Sequence, residues 1–201
     1  MNVIIDYGVG NLFSLINGFK RAGVDVVVRD DIASIAAADV LILPGVGAFK
    51  KAMQALKATG LVPYIKAHVA NGKPLLGICL GMQLLYETSE EFGSHQGLGL
   101  LKGKVEKMRT ALPLPHMGWN ALTFHKQSDM LKYVKPGEFV YFVHSYYAVE
   151  TEESLIATAE YDEAIPAIVN QGVVTGMQFH PEKSGAVGLR LLKGYMEMVT
   201  C

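Results

Sequence analysis

Leu75-Leu76-Gly77-Ile78-Cys79-Leu80-Gly81 is the stretch on which the fold turns. A short apolar run leads into a cysteine with a glycine two residues to either side. A nucleophile placed after a strand and before a helix matches the elbow geometry, in which a sharp turn lifts the side chain from the end of a parallel sheet. Only small neighbours fit so tight a turn. A helix starting near Leu80 would direct its positive end at the thiol, favouring the nucleophilic thiolate. The Leu80 N–H would face a developing oxyanion. The same five residues also fit a buried cysteine that packs as a small hydrophobe.

Reading outward, the first half alternates short apolar runs with helical periodicity. Val3-Ile4-Ile5 predicts a buried strand. Leu12, Leu15, Ile16 and Phe19 follow at i, i+3, i+4, i+7, one face of a helix, with Asn11 as its N-cap and Gly23 as its stop. Val24 to Val28 predicts a second strand, Val40 to Leu43 a third, and residues 49–70 a helix broken near Gly60. Strands apolar throughout and separated by helices argue for a parallel sheet covered on both faces. From Gly99 to Phe179 the chain reads mainly as strands and turns, the signature of antiparallel additions. A last helix runs from about Gly185 to Val199. The expectation is one three-layer α/β/α sandwich domain over residues 1–201, with a mainly parallel central sheet and antiparallel additions in the second half.

Composition narrows the function. Half of the 201 residues are hydrophobic and 18% charged, which suits a packed core rather than a disordered chain. Lys plus Arg is 18 against 19 Asp plus Glu, a formal net charge of −1, so the basic excess of a general nucleic-acid binder is missing. Two cysteines, Cys79 and Cys201, are too few for a disulfide framework or a structural zinc site. Asp6 interrupts the N-terminal apolar stretch too early for a signal peptide, and no apolar run approaches a membrane span of about 18 residues. A cytoplasmic protein with no membrane and no nucleic-acid partner is expected.

A cysteine nucleophile needs a base, and the base an orienting group. Gln178-Phe179-His180-Pro181-Glu182 supplies both. In extended chain, residues two apart project from one face, and Pro181 pushes His180 towards that conformation. Glu182 could then hold the His180 tautomer at the end of a strand, where open α/β sheets place their sites. A zinc deaminase shares the His-x-Glu start but also needs Pro-Cys-x-x-Cys, which is absent. A surface histidine followed by a solvated glutamate is the plain alternative. Gly8-Val9-Gly10 opens like a dinucleotide loop, but Phe13 stands where the fingerprint wants glycine. No cofactor or metal is expected.

With Asp6 to Asn11, Pro44 to Gly47, Gly77 to Gln83, Pro115 to Asn120, His144-Ser145-Tyr146 and Gln178 to Ser184 in view, the whole chain resembles class I glutamine amidotransferases. The resemblance implies hydrolysis of glutamine to glutamate and ammonia by a Cys79, His180, Glu182 triad. It implies an oxyanion hole from Leu80 and the Val46–Gly47 turn, a turn whose glycine-flanked peptide can rotate cheaply. It implies substrate contacts at Gly45, Gln83, Glu91, Ser145 and Tyr146, with Gln83 one helical turn beyond Cys79 and Glu91 meeting the α-amino group. It also implies a separate cyclase subunit, a (β/α)8 barrel in a heterodimer, that consumes the ammonia; a barrel of about 250 residues cannot fit in this chain. Asn11, Trp119, Tyr141 and Lys183 match positions near that interface. Each also has a structural reading: a helix cap, a core aromatic, a buried strand residue and a solvated lysine. The glutaminase of a pyridoxal phosphate or anthranilate synthase, and a catalytically inactive binding module, are the alternatives. Pro115 to Asn120 argues against the first two, and the intact triad against the third.

Overall fold

The computed structural model describes residues 1–200; Cys201 lies outside them. The chain runs β1 (Asn2–Ile5), α1 (Leu12–Arg21), β2 (Val27–Arg29), α2 (Ile32–Ala37), β3 (Val40–Leu43), α3 (Phe49–Ala58), α4 (Val62–Ala70), β4 (Leu75–Ile78) and α5 (Leu80–Leu84). It continues through β5 (Tyr86–Ser89), β6 (His95–Gln96), β7 (Leu101–Lys107), β8 (His116–Phe124), β9 (Phe139–His144), β10 (Tyr146–Val149), β11 (Leu155–Glu160), β12 (Ala164–Gln171), β13 (Val174–Met177) and α6 (Gly185–Thr200).

A nine-stranded sheet in the order β2-β1-β3-β4-β13-β12-β11-β8-β9 forms the centre. The strands from β2 to β13 in that order are parallel, and every pairing from β13 onward is antiparallel. Strand alternation sorts the apolar runs to two faces. Val3, Ile5, Leu41, Leu43 and Leu75 enter one core with Phe49, Met53, Leu56 and Ile65 of α3 and α4. Ile4, Val40, Ile42, Leu76 and Ile78 enter the other with Leu15 and Phe19 of α1 and Leu191, Leu192 and Tyr195 of α6. Two cores on opposite faces of one sheet make the three layers. A second sheet, β10-β7-β5-β6, packs Tyr86, Leu101, Val105 and Ala148 into the first core; the sequence patterns do not reveal it. Among the described residues, no helix is long and apolar enough to cross a membrane.

One local reading is corrected. The second strand begins at Val27, not Val24, because the chain at Val24 is still closing α1. Gly23 takes φ +78°, its N–H donates to Lys20 O, and the Val24 N–H donates to Phe19 O at 3.0 Å, a Schellman cap. Between the second and third strands lies α2, too short to show a helical period; Asp31 caps it by accepting from Ser34 N at 2.8 Å.

The turn after β4 is built on absent side chains. A Cβ on Gly81 would stand 1.9 Å from Leu43 O, and one on Gly45 would stand 2.7 Å from Gly81 N. Gly81→Ala should therefore pry β3 from the start of α5. The expected cost is about 3 kcal/mol in urea unfolding, against less than about 0.5 kcal/mol for Lys66→Ala on the exposed side of α4.

Candidate active site

Cys79 stands between β4 and α5 at φ 54°, ψ −114°, a backbone region that L residues rarely enter. Its N–H donates to Met177 O at 2.7 Å, so the elbow is pinned to the end of β13. That pairing carries the site, because the chain leaving β13 delivers His180 beside Cys79. The His180 N–H donates to Tyr141 O at 3.0 Å, and its carbonyl accepts from Ser184 Oγ at 2.6 Å. The Tyr141 N–H in turn donates to Ser184 Oγ at 2.9 Å, so the histidine hangs from β9 at both of its backbone groups.

His180 Nδ1 and Glu182 Oε1 lie 2.8 Å apart, both side chains about 5% exposed. They meet, but not on a continuous strand. β13 has ended at Met177, and residues Pro181–Lys183 form a 3-10 turn that folds Glu182 back under the imidazole. The carboxylate backs onto α1, where a Cβ on Gly18 would stand 2.8 Å from Glu182 Cβ. Burial penalises the charged imidazole of His180, but hydrogen bonds and charge from Cys79 and from Glu182 outweigh it and raise His180 from 6.5 to about 10. Cys79 and Glu182 together thus favour the protonated ring.

A cavity of about 390 Å³ opens over the sulfur, lined by Cys79, His180, Leu80, Val46, Gly47, Gln83, Glu91, Ser145 and Tyr146 among others. It gathers the residues expected for the triad other than Glu182, those expected for the oxyanion hole, and those expected for substrate other than Gly45. Gly45 instead packs beneath the elbow, its Cα closed against Leu80 and Gly81. Gln83 is buried rather than solvent-facing, and its Nε2 is committed: it donates to Tyr146 O at 2.9 Å and Gln178 Oε1 at 3.1 Å. That leaves the amide oxygen, an acceptor suited to an ammonium and not to a carboxylate. Glu91 is buried too, accepting from Phe49 N at the start of α3 at 2.6 Å.

The residues matched to an interface separate into two kinds. Trp119 and Tyr141 are cross-strand partners of β8 and β9 with rings 5.8 Å apart, and Trp119 is 52% exposed, so it is no core aromatic. Lys183 is exposed beside the triad turn. Asn11 does cap α1, its Oδ1 accepting from Ser14 N at 3.2 Å, and it is also exposed.

Three contributors escape sequence reasoning. Tyr7 donates its hydroxyl to Pro44 O at 2.6 Å, tethering the turn that carries Val46 and Gly47; burial and the nearby Cys79 raise its phenol well above the ordinary value. Gln178 places Nε2 4.0 Å from Cys79 Sγ while holding Gln83. Ser184 suspends His180. A glutamine two residues before the histidine and a serine four after it stand in the quoted motif, but only the folded chain shows what they hold.

The raised His180 value sets two outcomes. Its contribution to stability is fully present below about pH 6.5 and is lost as pH rises towards 10. In a histidine NMR titration, Cys79→Ala should lower the His180 midpoint more than Glu182→Gln does, by at least about one unit.

Comparison with known proteins identifies the family. The glutamine amidotransferase class-I family model matches residues 3–193. Imidazole glycerol phosphate synthase subunit HisH of Geobacillus kaustophilus is 50% identical over 204 residues, covering 98% of this chain and 96% of its own length. The protein of the same name from Bacillus licheniformis is 50% identical over 201 residues, covering 96% and 94%. Among solved structures, a glutamine amidotransferase superposes with a TM-score of 0.78 at 19% identity over 99% of both chains. PurLQS from Thermotoga maritima gives 0.72 at 20% identity over 98% and 97%. The structural likeness carries the fold, the family model runs over nearly the whole chain, and the half-identical relatives align end to end: the chain belongs to the class I glutamine amidotransferases, a family of enzymes.

Proposed function

We propose that this chain is the glutaminase subunit of imidazole glycerol phosphate synthase, a single glutamine amidotransferase domain over residues 1–201. The observation that carries the reading is the half-identity, over nearly the full length, to relatives of that name. The geometry of Cys79, His180 and Glu182 supports the chemistry.

Cys79 passes its thiol proton to His180, and Sγ attacks the side-chain carbonyl carbon of glutamine. The oxyanion forms against the N–H of Leu80 and an amide of the Val46–Gly47 turn, where losing one donor costs about 3 kcal/mol of barrier. His180, holding its proton, gives it to the departing nitrogen, and ammonia leaves a glutamyl thioester on Cys79. Water then gives a proton to His180 and attacks the thioester carbon. The thiolate departs and glutamate is released. Glu182 keeps the imidazole oriented and stabilises its charged form. Gln83 and Glu91, with the strand at Ser145 and Tyr146, hold the amino-acid end of the substrate.

Ammonia passes to a cyclase subunit, a (β/α)8 barrel, that converts PRFAR to imidazole glycerol phosphate and AICAR in histidine biosynthesis. The exposed Trp119, with Tyr141, Asn11 and Lys183, forms the face towards that subunit in a cytoplasmic heterodimer. Because Tyr141 O holds the His180 N–H, pressure on this face reaches the base.

The test is glutamate release from glutamine with Cys79→Ala as the blank, for the chain alone, with the cyclase, and with the cyclase plus its nucleotide ligand. Release mainly in the third case is expected; none in any case would overturn the reading. Gln83→Ala should raise KM for glutamine about tenfold with kcat changed less than about threefold. Trp119→Ala should weaken the complex by about thirtyfold in a binding titration.

A further inference from the structure

Two buried histidines meet behind the glutamine cavity. His116 of β8 and His144 at the end of β9 face each other with Nδ1 and Nε2 3.0 Å apart. Each ring has one further contact. His116 Nε2 lies 2.7 Å from Asn120 Oδ1, and His144 Nδ1 lies 2.9 Å from Tyr146 O. Both outer contacts need a proton on the histidine. A backbone carbonyl such as Tyr146 O can only accept. Asn120 is held to the same role, because its Nδ2 donates to Glu160 O at 2.8 Å and so turns its oxygen to His116.

Three contacts therefore require three ring protons, and two neutral imidazoles carry two. A neutral pair opposes two lone pairs across the 3.0 Å gap, or leaves Tyr146 O or Asn120 Oδ1 without its proton. One added proton completes all three contacts. The His116 ring is also sandwiched between Phe142 at 5.0 Å and Tyr161 at 4.0 Å, both inclined by 21°, faces that attract a cationic ring. Opposing this, burial lowers both histidines, His144 to about 3, and His180 repels charge on His144. The other ionisable groups around the pair are the Tyr161 phenol stacked on His116 and, across the cavity, Cys79, Glu91 and Tyr146. The contact matters to the site because Tyr146 O is also the acceptor for Gln83 Nε2.

We propose that His116 and Asn120 are positioning residues of the glutamine cavity, acting through a His116–His144 pair that is one proton short when neutral and clamps the Tyr146 carbonyl when the third proton arrives. This deepens the glutaminase reading and rests on it. Asn120 creates the shortage. Without its oxygen, His116 can carry its proton on Nδ1 and donate it to His144 Nε2, while His144 keeps Nδ1–H on Tyr146 with two protons in all.

The experiment joins 15N-histidine NMR titration of the full chain with the pH profile of KM for glutamine in the assembled synthase. In the wild type both rings should report one shared protonation step below neutral pH, with KM falling about fivefold on its acid side and no matching step in kcat. Asn120→Leu should move that step down by at least about one unit and leave KM low and flat with pH. Asn120→Asp, with a carboxylate facing the pair, should move it up by at least about one unit and carry the low KM with it. Rings that titrate independently would overturn the proposal, as would KM raised in both variants with an unaltered pH profile, the result of a merely structural Asn120. The ring titration needs no turnover. A synthase that ignores glutamine would sink the glutaminase reading, and turnover with independent rings would sink this proposal alone.

Discussion

The nucleophile depends on a place where three chain segments come closer than side chains allow. The ends of β3 and β4 lie side by side, and α5 must start in the space between them. Gly45, Gly77 and Gly81 meet there, with backbone atoms of Leu43 and Gly81 filling the volumes that Cβ atoms would occupy. Cys79 is forced into its unusual φ by the same crowding, a strain of about 1–3 kcal/mol held in place by the apolar cores above and below the sheet. The turn carrying Val46 and Gly47 and the elbow carrying Cys79 are therefore one packed object. Tyr7 fastens its outer edge.

The histidine is secured by different means. His180 does not sit on a strand; it hangs from β9 by its own backbone, with Ser184 tying both ends of the attachment. The attachment point is Tyr141, whose ring turns to the exposed face beside Trp119. Cys79 and His180 are thus fixed from two sides, Cys79 by the turn after β4 and by Met177 of β13, and His180 by Tyr141 of β9.

Legibility in the sequence follows this division. β1, β3 and β4 were readable because burial on both faces leaves them without a polar residue, apart from Asn2 at the start of β1. The elbow and the His180–Glu182 pair were readable because each is written in a few adjacent residues. The second sheet was not. Its strands carry Glu87, His95, Lys104 and Glu106, and they are stabilised by partners far along the chain. α2 lacks the length to show a period, and the cap on α1 displaced the start of β2. Gln178, Tyr7 and Ser184 gain their roles only through contacts with distant segments. At Trp119 residue type alone fits a core aromatic as well as an exposed one, and only the register of β8 decides for exposure.

The position of β13 in the sheet has a consequence for how the protein is made. It is the fifth of nine strands in space but the last in sequence, and it slots between β4 and β12. Until it arrives, β4 is an open edge carrying Leu75, Leu76 and Ile78. A growing chain has Cys79 outside the ribosome for roughly a hundred residues before His180 emerges. During that interval the thiol has neither His180 nor the Met177 carbonyl that closes its turn, so it does not yet form the reactive pair. The late strand thus completes two tasks in one docking event: it covers a sticky edge and arms the cysteine. A nascent or truncated chain is exposed to aggregation, but it has not yet brought His180 to Cys79.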